Sequence, residues 1–223
     1  MFFSSGYLIL MIVGLILGLG TQAWIRGSYR KWSQVPLATG RSGAEVARAM
    51  LDSNGLSAVA IRMIGGTLSD NYDPRTRVLN LSQAVYEGRS VASAGVAAHE
   101  AGHAVQHAVA YAPAAARQAL VPIANIGSQI SWLLIMAGFW LGALQLVTIG
   151  AWVFGGAVLF QIVTLPVELD ASHRAVETLS SGLPPEQAAG ARAVLNAAAM
   201  TYIAAALVAI MQFVYFLGLG RRD

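Results

Sequence analysis

The residues able to do chemistry are concentrated in two places, and the first is His99-Glu100-Ala101-Gly102-His103. Two histidines four positions apart on a helix point about 40° apart around the axis and sit about 6 Å apart along it. Both imidazoles can therefore converge on one divalent cation at about 2 Å. The glutamate between them lies about 100° from the first histidine, at the edge of that face. There it can take a proton from an attacking water without ligating the metal itself. Ala101, Gly102 and Ala104 add no bulk, so the neighbourhood of the metal is expected to be open. His107 continues the series at the eighth position after His99. It lies about 12 Å along the axis, too far for one ion to hold both on a straight helix, so it is expected to support a neighbour.

A zinc held by two histidines needs a third protein ligand from another element. The second cluster, Pro166-Val-Glu-Leu-Asp-Ala-Ser-His-Arg-Ala175, is the dense group of polar side chains next to an apolar stretch. On a helix Glu168 and Ser172 share one face, while Asp170 pairs with Arg174 four positions on. Glu168 is the expected third ligand. Asp170 and His173 remain as supports, and Tyr72, His173 or Arg174 are candidates to stabilise the developing oxyanion. With no cysteine in the chain, thiolate sites, disulfides and cysteine nucleophiles are excluded.

The elements that must carry these groups are set by composition. Of 223 residues 56% are apolar and 11% are charged, against about 25% charged in an ordinary soluble domain. This is the composition of a chain that spends much of its length in lipid. Tyr7 to Ile25 is uncharged and long enough to cross roughly 30 Å of hydrocarbon. No basic side chain precedes it, so it reads as a retained span and not a cleaved signal. Ile123 to Pro166 holds no charge, about two spans' worth. Gly150 lies where a reversal is expected between helices at about 128–147 and 149–165. Leu195 to Gly220 makes a fourth span before Arg221, Arg222 and Asp223. Trp24, Trp132 and Trp152 suit span ends, and Gly14-x-x-x-Gly18 and Gly138-x-x-x-Gly142 suit close helix packing.

The chain thus divides into a first membrane helix (1–25), a membrane-proximal region with the motif helix (26–122), a transmembrane hairpin (123–166), a helix carrying the third ligand (167–194) and a last membrane helix with a short tail (195–223). Ten of the 14 cations fall between residues 26 and 122 and two more, Arg174 and Arg192, before the last span. A hairpin returns the chain to the side it left. The positive-inside rule then places both segments, and the site, on the cytoplasmic face of the cell membrane, with Arg26, Arg30 and Lys31 weighing most. The cations form no basic run, so nucleic acid is not an expected partner.

Within the polar region, Ser42 to Leu51 reads as a short helix ended by Asn54-Gly55, and Ser90 to Ala110 as the motif helix, stopping before Pro113. Ala58 to Ile64 and Arg75 to Ser82 read as a pair of strands around a turn at Ser69 to Pro74. Of these, Arg75–Ser82 is the expected edge on which an extended peptide could be laid. The fold class is mainly α: a polytopic membrane protein with about four transmembrane helices and a small α+β zincin-like region.

The runs VAAHEAGHAVQHA (residues 96–108), LSDNYDPRTRVLNLS (residues 68–82) and PVELDASHRA (residues 166–175) resemble the YugP-like membrane zinc metallopeptidases, and the likeness covers most of the chain. More distantly, the Glu-x-Asp-Ala pattern is similar to the HtpX and CAAX prenyl protease group. The resemblance implies a zinc-dependent endopeptidase acting on peptides or proteins, and leaves open whether these are membrane proteins. It also implies His99, His103 and Glu168 as zinc ligands and Glu100 as general base. One departure stands out: the distant group has a further acid four residues after its ligand, where this chain has Ser172, so Asp170 or His173 would have to substitute. Two other readings are a site-2-type intramembrane protease, with the motif inside a spanning helix, and a non-catalytic zinc-binding membrane scaffold. The intact Glu100 argues against the scaffold, and the weakly apolar, histidine-rich 91–110 against the first.

Overall fold

The computed structural model describes residues 5–67 and 69–219. The expected tail 220–223 and the residues before Ser5 lie outside the described residues, as does Leu68 of the run 68–82. The chain forms seven helices and three strands among the described residues: α1 (Ser5–Ser33), α2 (Gly43–Ser53), β1 (Ala60–Ile64), β2 (Asn71–Asp73), β3 (Val78–Ser82), α3 (Gln83–Tyr86), α4 (Val91–Ala108), α5 (Ala112–Leu141), α6 (Leu144–Ser180) and α7 (Pro185–Leu219). Two compact units share them. One comprises the described residues up to Thr21, Pro113–Pro166 and those from Thr201 onward; the other comprises Gln22–Ala112 and Val167–Met200.

In the first unit α1, α5, α6 and α7 are each long and apolar enough to cross a membrane. Their apolar side chains point outward: Leu8, Ile9, Ile12, Leu15, Ile16 and Leu19 of α1 are all exposed, an arrangement stable only where lipid replaces water. The protein is a mainly α polytopic membrane protein.

The hairpin turns earlier than the sequence suggests. The expected helices 128–147 and 149–165 are replaced by α5 and α6, with the reversal at Gly142-Ala143, where Gly142 has φ +66. Only glycine takes that conformation without a Cβ penalty, so it ends α5. Gly150, the expected turn, lies inside α6. A Cβ there would meet Ile135 Cγ1 at 2.8 Å and Ser131 O at 3.0 Å, so it serves close packing between α5 and α6. Gly138 does the same against Val147. Gly14 makes ordinary contact with Val208 and Gly18 meets nothing within 4 Å, so that pair is not a tight crossing. Trp132 and Trp152 stand well inside α5 and α6, whereas Trp140, beside the turn, is 88% exposed and is the better interfacial anchor.

Neither proline breaks its helix. Pro122 lies within α5 and Pro166 within α6, so α6 runs without interruption from the apolar stretch through Glu168 to Ser180. The segment 167–194 is consequently two half-helices, the end of α6 and the start of α7. The latter opens on Pro185, whose missing N–H costs nothing at a first helical position.

In the second unit three strands, not two, form a sheet of order β1–β3–β2, β1 parallel to β3 and β2 antiparallel to it. The expected turn at Ser69–Pro74 supplies β2, and the reversal falls one step later. There Asp73 accepts hydrogen bonds from Arg75 N and Thr76 Oγ1, and Arg77 has φ +55. Because β3 is central, the expected edge strand is an interior one; the edges are β1 and β2. Leu79 and Leu81 of β3 are fully buried, each contributing roughly 1.5–3 kcal/mol relative to exposure.

These leucines pack in one core with Leu51 of α2, Val85 of α3, Ala97, Ala98, Ala101 and Ala104 of α4, and Ala175 and Leu179 of α6. The alanines and glycines of the motif helix are small because other elements lie against it. Ala101 and Ala104 are buried in this core and Gly102 faces the backbone of Ala171. The expectation that they leave room around a metal is corrected: they make room for α6 and the sheet.

Candidate metal centre

α4 begins at Ser90, whose hydroxyl accepts from Ser93 N while Ser93 Oγ accepts from Ser90 N, so two otherwise orphaned donors are satisfied. Burial on several sides then fixes the rotation of the helix, and His99 and His103 emerge together. Their rings meet edge to face with centroids 4.7 Å apart. Glu168 reaches them from α6: its Oε2 lies 3.3 Å from His99 Nε2 and 3.6 Å from His103 Nε2. The ligand atoms of the three residues all fall within 4.8 Å of one another.

The donor set fits a zinc ion. Two atoms each about 2.0–2.1 Å from a tetrahedral centre stand roughly 3.3–3.4 Å apart, close to the separations seen. The electrostatics agree. Burial works against a charge on His103, but the hydrogen bond to Glu168 and the charges of Glu100 and Glu168 outweigh it and hold its proton affinity above the usual histidine range. Surroundings that favour positive charge on this side chain also favour a cation beside it. Glu168 is sealed at 3% side-chain exposure while the histidines keep 13% and 15%, so the cluster opens to solvent on the histidine side.

The far nitrogens are also occupied. His99 Nδ1 is 3.2 Å from Ser172 Oγ, so the serine at the position of the expected acid itself contacts a histidine. His103 Nδ1 is 3.0 Å from Gln106 Oε1, and Gln106 Nε2 donates to Asp170 Oδ2 at 2.8 Å. Asp170 also accepts from Arg174 Nε at 2.7 Å. Thus Asp170 acts at one remove, through a glutamine that spacing arguments passed over. Gln106 lies three residues after His103, where a side chain returns to the same face, and that was the available signal.

Glu100 is half-buried, close enough for its charge to act on His103. His107 is exposed and its Nδ1 pairs with Tyr72 Oη at 3.0 Å, joining β2 to the end of α4. Burial raises the Tyr72 phenol above its ordinary range, with Asp73 adding to the rise and Arg77 opposing it. His173 is exposed on α6 and Arg174 is engaged by Asp170.

The chain is 41% identical over 212 residues, covering 94% of each chain, to a Bacillus subtilis (strain 168) protein described as "Putative membrane protease YugP". No solved structure matches the chain. The family described as "Putative neutral zinc metallopeptidase" matches residues 7–221, nearly the whole chain, and the protein belongs to it.

Proposed function

We propose that the protein is a zinc endopeptidase in which His99, His103 and Glu168 hold the metal and Glu100 is the general base. The observation that carries this reading is the meeting of His99 Nε2 and His103 Nε2 at Glu168 Oε2, from elements 69 residues apart in sequence. Zinc bound there would supply a Lewis acid for the scissile carbonyl and would lower the pKa of water to about 7. Glu100, one position off the ligand face, accepts the proton of the attacking water and returns it to the leaving amine. The extended substrate pairs with β2, the sheet edge tied to α4 through Tyr72 and His107.

The site-2-type reading loses support because α4 is packed among Leu79, Leu81 and Val85 and is not one of the helices long and apolar enough to cross a membrane. Arg26, Arg30 and Lys31 of α1 favour the cytoplasmic face for the site, with membrane-proximal peptide bonds as substrates. Metal analysis of purified protein should find one zinc per chain. Glu100→Gln should keep that zinc and lose hydrolysis by roughly 10²–10⁴-fold. A parent without stoichiometric divalent metal refutes the metal centre, and a parent that holds zinc but hydrolyses no peptide better than Glu100→Gln is a scaffold.

A further inference from the structure

Gln106 is among the largest fully buried side chains of the protein, at 1% exposure, and the reaction as proposed makes no use of it. A buried primary amide must satisfy two donors and an acceptor, and this one does so on defined partners. Its Nε2 donates to Val167 O at 2.8 Å and to Asp170 Oδ2 at 2.8 Å, a carbonyl and a carboxylate, neither of which can donate in return. Those two acceptors fix which end of the amide is nitrogen. Oε1 is therefore the atom 3.0 Å from His103 Nδ1, and His103 Nδ1 must carry the hydrogen.

We infer that Gln106 is a positioning residue: it holds His103 as the Nδ1–H tautomer, with the bare Nε2 lone pair aimed at the metal position, and it clamps the turn of α6 bearing Glu168 against α4. This rests on the metal centre proposed above. Val167 and Asp170 flank Glu168, so the two bonds of Nε2 straddle the third ligand. Arg174 Nε, 2.7 Å from the same Asp170 oxygen, anchors the far end. The negative Asp170 polarises the amide and makes Oε1 a stronger acceptor for the imidazole N–H. His99 is served separately by Ser172 Oγ, so the two histidines are oriented by independent partners.

The test uses full-length protein in detergent with zinc as the probe. Gln106→Met keeps length and loses all three hydrogen bonds. Its zinc dissociation constant, read by competition with a chromophoric chelator, should rise 10–100-fold, the usual effect of removing such an orienting partner. In the zinc-loaded parent the His103 Nδ1–H should give a slowly exchanging ¹H–¹⁵N signal. Gln106→Met should lose that signal while retaining the one from His99, and Ser172→Ala should do the reverse. A folded Gln106→Met that binds zinc within twofold of the parent and keeps the His103 signal overturns the inference. Should Gln106→Met fail to fold, Asp170→Asn replaces it: the His103 signal must shift and the His99 signal stay, and an unmoved His103 signal overturns the inference equally. A parent that takes up no zinc fails at the earlier step and refutes the metal centre itself.

Discussion

Gly102 separates the two claims that a motif helix makes, one about its ligands and one about its packing. A Cβ built there would lie 2.8 Å from Ala171 O and 3.3 Å from Ala171 Cα, about 0.6 Å short of the 3.4 Å at which ordinary contact begins. The obstacle is the backbone of α6 three residues after Glu168, so no side chain can rotate away. Gly102→Ala must therefore push α4 and α6 apart between His99 and His103 on one side and Glu168 on the other. Metal sites tolerate about 0.2 Å of ligand displacement, so the shift is large on that scale. Overpacking of this kind costs about 1–3 kcal/mol, against which alanine returns up to about 1 kcal/mol of helix propensity. Global stability should thus fall by no more than about 2 kcal/mol. The strain falls at the site, and about 1–3 kcal/mol there corresponds to roughly 5–150-fold weaker zinc binding. Gly95 on the same helix is the control, since its nearest neighbour is Ala191 Cβ at 3.6 Å, an ordinary contact. Gly95→Ala should bind zinc as the parent does and melt no lower. Chelator competition and thermal melting on both variants make the comparison. If Gly102→Ala binds zinc as tightly as Gly95→Ala, the close approach of α4 to α6 is not what sets the ligand spacing.

Removing Glu168 leaves two histidines on one helix, so Glu168→Ala should abolish stoichiometric zinc, whereas Asp170→Ala should weaken it about 10–100-fold and leave it detectable; zinc retained by the first and lost by the second would make Asp170 the ligand. Reporter fusions after Lys31 and after Arg192 should both report cytoplasm and one after Asp223 the outside, and the opposite pattern would move the site to the outer face without altering its chemistry. At the start of α2, Glu45 Oε2 accepts from Ser42 N, and that bond, aided by Arg89, holds its carboxyl below the usual range. A carboxyl depressed in the folded state contributes stability that is full above its unfolded pKa of about 4.3 and is lost as pH falls through the folded value. Melting temperature should therefore fall more steeply below about pH 5 in the parent than in Glu45→Gln, and parallel acid limbs would refute the contribution.

Much of this protein was legible from local spacing, because some properties need no partner. Whether a run can cross lipid depends on its own length and polarity, so the four membrane helices follow from charge-free stretches alone. Whether two histidines share a helix face depends on 3.6 residues per turn, so the pairing of His99 with His103 was readable before any fold was known. Ser42 and Asn54-Gly55 bounded α2 by bonds made within a few residues.

What failed, or stayed open, depended on what lies opposite. Gly142 and Gly150 are the same residue in similar apolar surroundings; one is a turn and the other a packing contact because Ile135 and Ser131 face only the second. Arg75–Ser82 alternates as an edge strand would, yet β2 and β1 hydrogen-bond to both its sides, and strand order is a property of the assembled sheet. Local spacing favours Glu168 over Asp170 by pairing Asp170 with Arg174, but nothing local brings either acid to two histidines 65 or more residues away. The rotation of α6, set by Ala171 against Gly102 and Ala175 in the core, turns the first toward His99 and His103 and the second toward Gln106 and Arg174. Long-range side-chain convergence is decided by how buried faces pack, which is why only the tertiary structure brings Glu168 against the two histidines and reveals the glutamine behind them.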